Sequence, residues 1–533
     1  MKKFLIVLLV LLVFTVIIAG CGKAAPTTPA PTTPAPSKPA PTTPATPAAP
    51  TPVSGGTLRW SGTTGPTTPI GYPPECLGPS GVTPQIAMQV LLKEYLGGSI
   101  GPNLASAYQV NTSKDNPSIT FQLQKGVKFH DGTDFNAKAV EWNFEEMRKA
   151  PANASMVSNW KTIDIIDDYT LRLNLKEWQN AVIQTFCNSS TYLMSPTAFQ
   201  TKGLEWVRWN MVGTGPFMQE KWQRDVTLTG VKNPNYWEKG KPYLDKIEYL
   251  FTADELSAVA LLKTGGCEVV NCSAMYAKEL GAAGYDVFAQ YLGPQHLVPD
   301  SANPDSPWSN LKVRQAAEYA IDKENIAKSL GYGFWKTAYQ FSTEASKAYD
   351  PTIPGRKYDV AKAKQLMTEA GYPSGFKTTI VAGPLFLNRD SILAIQSQLA
   401  AIGIQTEVQF PDMAKWSVMS RSTWNNALFY TSVNEWANQN VTFNYFIGTP
   451  GTSWLSAIRP AGYKELLDQS KVTPEQDPAL LKKIENMIYD NVVAIPIYSS
   501  SLTWAFNKKV RDHGESKRGQ ANWYEPQNTW MAK

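Results

Sequence analysis

Phe121-Gln-Leu-Gln-Lys-Gly-Val-Lys-Phe129-His-Asp131-Gly132-Thr-Asp-Phe135-Asn-Ala-Lys-Ala-Val140 packs four structural signals into twenty residues. Ile119, Phe121 and Leu123 alternate on one face of a predicted strand from Ser118, and Lys125-Gly126 supplies a turn before Val127 and Phe129. Asn136 is a good N-cap for a helix that carries Val140, Phe144 and Met147 at helical spacing. Downstream, Ile163 and Ile165 precede Asp167-Asp168, and Leu171, Leu173 and Leu175 follow it, which reads as a hairpin. Upstream, Gly55-Gly56-Thr57-Leu58-Arg59-Trp60 reads as a turn and a first strand.

The second half has a different texture. Val313, Ala317, Ala320 and Ile321 mark one helix, and Asp322 caps the next. Asp359 caps a helix with Ala363, Met367 and Ala370, which Gly371 and Pro373 stop. Strand Phe376–Val381, helix Ser391–Ile402 and strand Ile404–Phe410 then form a βαβ unit, implying a parallel pair with a right-handed crossover. The chain is α/β, with hairpins first and βαβ units later.

Ahead of these elements lies an address. Lys2 and Lys3 precede an apolar run from Phe4 to Ala19, which is short for a membrane span. The run ends Ile18-Ala19-Gly20-Cys21 and resembles a bacterial lipobox, in which residues 1–20 are removed and Cys21 becomes the lipidated first residue. An ordinary signal or short anchor helix is the plainer alternative. From Ala24 to Pro52 the chain is almost wholly Pro, Ala and Thr, with APTTP recurring at Ala25, Ala30 and Ala40. Such a tract builds no core, favours polyproline II and at about 3.1 Å per residue reaches on the order of 90 Å. Residues 21–54 are therefore read as a lipid anchor and stalk.

Composition narrows the function. The 533 residues carry 50 Lys+Arg against 45 Asp+Glu and are 43% hydrophobic, which excludes a mostly disordered chain. A surplus of five positive charges gives no reason to expect nucleic acid. His130, His296 and His513 lie far apart, which argues against a multi-histidine metal site, and no cofactor signature is present. No HExxH, Walker-type loop, GxSxG elbow or paired CxxC occurs, and Gly213-Thr-Gly215 and Gly331-Tyr-Gly333 read as tight turns. Glu145-Glu146 and Asp167-Asp168 read as solvated carboxylates rather than an acid–base pair. Beyond Cys21, the cysteines Cys76, Cys187, Cys267 and Cys272 allow three pairings, and at least one structural disulfide is expected; Cys267 and Cys272 can pair only if the chain turns between them.

Three groups of residues resemble the extracellular solute-binding proteins of ABC importers, in the large family of dipeptide, oligopeptide and nickel receptors. The first is Phe121–Val140 with its Phe129-His-Asp131-Gly132 hairpin. The second is Gly213-Thr-Gly215-Pro-Phe217 with Asn233-Pro-Asn-Tyr236-Trp237 and Tyr243-Leu-Asp245-Lys-Ile247. The third is Val313-Arg314 through Asp322, followed by Asp359–Leu366 and Ala370-Gly371-Tyr-Pro373. The resemblance implies a two-lobed periplasmic-binding-protein fold with an extra domain inserted in the first lobe. It places the first lobe at 55–100, 206–295 and 486–533, the inserted domain at 101–205 and the second lobe at 296–485. Arg314 is expected to tie a helix to its neighbours by hydrogen bonds, and His296 falls near the hinge.

The resemblance also points to a ligand segment, Ala427 to Phe443. Peptide receptors of this family carry there an aspartate, often in an Asp-Pro pair, that holds the peptide ammonium; here that pair is Asn440-Val441. A buried ammonium needs an opposite charge, so free peptides fit only if Glu435 supplies it from a shifted position. Trp424, Tyr430 and Trp436 cluster in this segment, and Asn434 and Asn440 are neutral amides, which together suit a neutral polar ligand such as an oligosaccharide. The expected protein is not an enzyme. It is a monomeric, lipid-anchored receptor at the extracytoplasmic membrane face, working with permease subunits and their ATPases. A surface hydrolase using a carboxylate pair, and a sensing or adhesion protein of the same fold, are the competing classes.

Overall fold

The computed structural model describes residues 51–63, 65–76, 83–95, 98–383, 388–433, 435–448, 453–513 and 525–533. Cys21, the signal segment and most of the stalk lie outside them. The motif around Phe121 folds as its pattern dictates. Ser118–Leu123 is the second strand of a four-stranded antiparallel sheet, flanked by Ala105–Asn111 on one side and Thr170–Leu175 on the other, with Trp160–Asp167 at the far edge. Ile119, Phe121 and Leu123 are buried in one apolar cluster with Val140, Phe144 and Met147 of helix Ala137–Lys149. The Asn136 side chain accepts a hydrogen bond from Ala139 N, which satisfies one of the open donors of the helix start. Gly126, at φ 76°, takes the left-handed turn position that favours glycine.

Gly213 and Gly215 have another purpose than a tight turn. A Cβ at Gly213 would lie 2.2 Å from Ala87 O, and one at Gly215 2.5 Å from Ala87 C. Here glycine permits backbone to press on backbone. The same stretch receives the histidine of the hairpin, since His130 N donates to Gly213 O at 2.8 Å and its ring Nε2 reaches Gly215 O at 3.0 Å. Two of the sequence motifs are therefore one contact.

The main sheet has the order Ile404–Gln409, Phe376–Ala382, Ala427–Ser432, Asp286–Pro299, Ile495–Phe506, Val269–Cys272, Thr57–Gly62, Lys246–Phe251, Thr227–Lys232, Phe217–Gln223. Its two central members are long. Asp286–Pro299 and Ile495–Phe506 pair antiparallel from Asp286 opposite Phe506 to Leu297 opposite Ile495, with register shifts between Tyr291 and Pro294 and between Gln295 and His296. Leu297, Ile495, Ile497 and Tyr498 lie in one apolar cluster with Val313 and Ile380, whereas Trp504 and Phe506 lie in another with Leu58 and Ile247. The two strands thus pass from one cluster to the other and carry their irregularities along the way. Bulges bend and twist a strand locally, which suits this pair to a hinge.

The second lobe follows the predicted elements closely. Phe376–Ala382 and Ile404–Gln409 pair parallel through helix Arg389–Ala400, which starts behind the Asn388 cap two residues earlier than the pattern placed it. Asp359 and Asp322 cap their helices by accepting from Lys362 N and Asn325 N. Among the described residues the expected disulfide is not formed: Cys76, Cys187, Cys267 and Cys272 are all buried thiols. Between Cys267 and Cys272 the chain is the strand Val269–Cys272 rather than a turn, so the two sulfurs are carried apart. Burial pushes both thiols up to about 12, which leaves them inert apolar packing.

Candidate functional site

Strand Ala427–Ser432 delivers the ligand segment to the lobe-crossing strands. Val433 N donates to Pro294 O at 3.1 Å, and a Cβ at Gly293 would sit 1.9 Å from Val433 O. Only glycine at 293 lets the segment lie against the irregular part of the hinge strand. Asn434 lies outside the described residues. Glu435 follows, and helix Gln439–Ile447 begins behind the Asn438 cap, which accepts from Asn440 N.

Glu435 carries the charge of the site. Its carboxylate accepts from Thr343 N at 3.2 Å and from the Thr343 hydroxyl, with a further side-chain hydrogen bond from Ser346. Burial raises its pKa to about 7 in spite of these bonds, and no cation contributes to its environment among the described residues. A second acid lies behind it. Glu485, on helix Pro478–Asp490, is fully buried and accepts from Phe341 N at 2.7 Å, Ser342 N at 3.3 Å and Ser342 Oγ at 2.7 Å. Burial raises it to about 7, and the charge of Glu435 adds to the effect. Residues 341–346 are thus strung between two desolvated carboxyls. Gln439 Nε2 closes the group by donating to Ser342 Oγ at 2.8 Å.

This arrangement makes stability depend on pH with a definite sign. A carboxyl whose folded pKa lies above its ordinary 4.5 favours folding fully below that value, and the contribution is lost as pH rises through about 7. Buried His130 and His296, whose pKa values are lowered, work in the opposite direction below their ordinary 6.5. A comparison of Glu485→Gln with the parent cancels the histidines. The unfolding free energy of the variant minus that of the parent should rise by about 2 kcal/mol from pH 5 to pH 8, read by urea denaturation. A difference that stays flat would mean that Glu485 keeps an ordinary pKa.

The remaining predicted residues are not brought together. Trp436 is partly buried, donates its backbone N–H to Thr442 Oγ1 at 3.1 Å and meets Tyr445 edge-on at 5.5 Å. Trp424 is core, stacked on Phe429 at 4.9 Å. Tyr430 is core on the opposite face, its hydroxyl 2.8 Å from Tyr498 Oη and 3.5 Å from Ser391 Oγ. The aromatic cluster in the sequence is therefore mostly lobe packing rather than a ligand wall. Asn440 is also occupied, since its Nδ2 donates to Asn180 Oδ1 at 3.2 Å and Ser470 O at 3.1 Å. His296 donates from Nδ1 to Pro294 O at 2.8 Å and packs against Phe341 and Trp454; burial lowers its pKa to about 3, so it is neutral.

Sequence reasoning missed Thr343, Ser346 and Glu485. Their stretch, Gln340 to Ser346, has neither helical nor strand period, and Glu485 reads as one more polar position of an amphipathic helix. The available signal was the density of small hydroxyls between two lobe elements.

Comparison with known proteins fits this architecture. The family description bacterial extracellular solute-binding proteins, family 5 Middle, matches residues 99–453. The glutathione-binding protein GsiB of Salmonella choleraesuis (strain SC-B67) is 31% identical over 321 residues, 58% of this chain and 60% of that protein. The chain therefore matches about three-fifths of the length of such relatives. Among solved structures, the substrate-binding protein CtaP of Listeria monocytogenes superposes with a TM-score of 0.79 at 20% identity, covering 90% of this chain and 100% of that one. The periplasmic binding protein DppA of Helicobacter pylori, in complex with the peptide STSA, gives 0.74 at 21%, covering 90% and 99%. At such identities these likenesses speak for the two-lobed fold alone. The family consists of binding proteins, which removes the carboxylate-pair hydrolase. From its motifs, its fold and the match over 99–453, the chain belongs to the bacterial extracellular solute-binding proteins, family 5.

Proposed function

We propose that this protein is a membrane-anchored receptor of an ABC importer that captures a short peptide, or a peptide-like solute, by its free ammonium. The observation that carries the reading is Glu435, a partly buried carboxylate held by Thr343, with no cation among the described groups that act on it, at the start of the ligand segment. An ion so placed is costly until an opposite charge reaches it, and a peptide ammonium supplies one. Glutathione and peptides, named as ligands of relatives, share that group. The first lobe is placed at 55–100, 206–295 and 486–533 and the second at 296–485, with 101–205 inserted, except that Ile495, Ile497 and Tyr498 pack with Val313 and Ile380 and so go with the second lobe. Solute contacts from both lobes favour the closed form over the open one, and the permease receives the closed form. Lipid on Cys21 and the stalk hold the receptor at the extracytoplasmic face.

A thermal-shift panel of the mature chain tests this. Glutathione and di- to pentapeptides with free amines should raise the melting temperature, and their N-acetylated counterparts should not. A ligand at 100 times its dissociation constant stabilises the fold by about 2.7 kcal/mol. Shifts from oligosaccharides alone would replace the ammonium reading with one built on Trp436.

A further inference from the structure

Beyond the acid site, the ligand segment meets a second surface. Residues 178–188 follow the last strand of the four-stranded sheet and bond directly to Asn438, Asn440 and the stretch from Ser470 to Glu475. Asn180 is the centre. Its backbone N donates to Lys471 O at 2.8 Å and its Nδ2 to Ser470 O at 2.8 Å. Its Oδ1 accepts from Asn438 Nδ2 at 3.0 Å and from Asn440 Nδ2 at 3.2 Å. Gln184 Oε1 accepts from Asn438 N at 3.0 Å, while its Nε2 donates to Glu94 Oε2 at 2.8 Å and is thereby oriented. Trp178 Nε1 donates to Thr473 O at 2.9 Å. Asn180, Asn438 and Asn440 are buried, and the partners are separated by more than 250 residues in sequence.

The same short segment carries Glu435 at one end and this seam at the other. Gln439, between Asn438 and Asn440, also holds Ser342, the neighbour of the Thr343 that binds Glu435. Separating the inserted domain from the second lobe must break every bond of the seam, because each one joins residues 178–188 to the second lobe. We propose that the seam is a closed-state latch, in which Asn180 and Trp178 are positioning residues that hold residues 435–440 in the solute-ready arrangement without touching the solute. The latch sets how much closed form exists before the solute adds its own contacts, and affinity scales with that fraction. Its bonds across the seam are between uncharged groups, so salt screening leaves them nearly unchanged. The effect on affinity rests on the receptor reading above; the effect on closure does not.

Hydrogen exchange of the full mature chain, without solute, reads the latch. Asn180→Ala and Trp178→Phe should each speed amide exchange in residues 435–440 about tenfold, with helix Leu311–Ala320 and strand Ser118–Leu123 unchanged. Trialanine is the binding probe: both variants should weaken it about tenfold while the preference for the free amine over N-acetyl-trialanine stays. Unchanged exchange in 435–440 overturns the proposal. So does loss of protection throughout the chain, which would make these residues part of the folding core. If trialanine does not bind the parent, the ammonium reading falls and the exchange result alone decides the latch.

Discussion

Replacing Arg314 by alanine lowers the unfolding free energy by about 4 kcal/mol. The side chain is 2% exposed on helix Leu311–Ala320, and it has no carboxylate partner among the described residues. It binds carbonyls instead. Nε lies 3.2 Å from both Asn491 O and Val492 O, Nη1 lies 2.8 Å from Trp308 O and Ser309 O, and Nη2 lies 2.8 Å from Asn491 O. Asn491 and Val492 follow helix Pro478–Asp490, so the cation sits where the helix dipole is negative. Burial pulls the guanidinium to about 10, which leaves it charged at neutral pH.

Truncation therefore strands four acceptors, two buried and two partly buried, each costing roughly 1–3 kcal/mol in isolation and less where water enters. Lysine is a poor replacement, because a point ammonium cannot span carbonyls that a planar fork reaches on two sides. Arg314→Lys should recover less than half of the loss. Urea denaturation of both variants settles it: a loss below about 1 kcal/mol for alanine would mean that the four carbonyls find other donors.

Arg314 also shows what was legible. Its role was implied by the family resemblance, since its partner carbonyls at Asn491 and Val492 lie far along the chain. The caps Asn136, Asp322 and Asp359, the stop at Gly371 and the parallel pair across helix Arg389–Ala400 were read instead from residues a few positions apart, where periodicity and capping chemistry act. The site depends on distant pairs. Glu485 meets Phe341 across 144 residues and Asn180 meets Asn438 across 258, and no local pattern encodes either contact. Trp424 and Tyr430 misled for a related reason. Strand Ala427–Ser432 is buried on both faces, so Phe429 and Tyr430 enter different cores and nearness in sequence is not nearness in space. Even the glycines of Gly213-Thr-Gly215 announced a turn while serving a backbone contact with Ala87.

Replacing Glu435 by glutamine should weaken a free-amine peptide by at least about 100-fold, since removing one partner of a buried ion pair costs about 3–5 kcal/mol. Glutamine keeps the size and one oxygen acceptor for Thr343 N, so the loss reports charge rather than packing. The proton balance separates this from a general loss of fit. In the unliganded protein Glu435 titrates near 7, so at pH 6 it is mostly protonated. An ammonium beside it favours the ionised form, and binding at pH 6 must release close to one proton, falling towards none from this group at pH 8. Affinity accordingly rises with pH up to about 7 and then levels. Titration calorimetry in phosphate and in an amine buffer counts the protons directly. With Glu435→Gln the released proton disappears together with the affinity, whereas a solute held by Trp436 or by neutral amides would bind with no proton in either protein. A peptide that bound both forms equally, with equal proton counts, would show that the ammonium is held elsewhere.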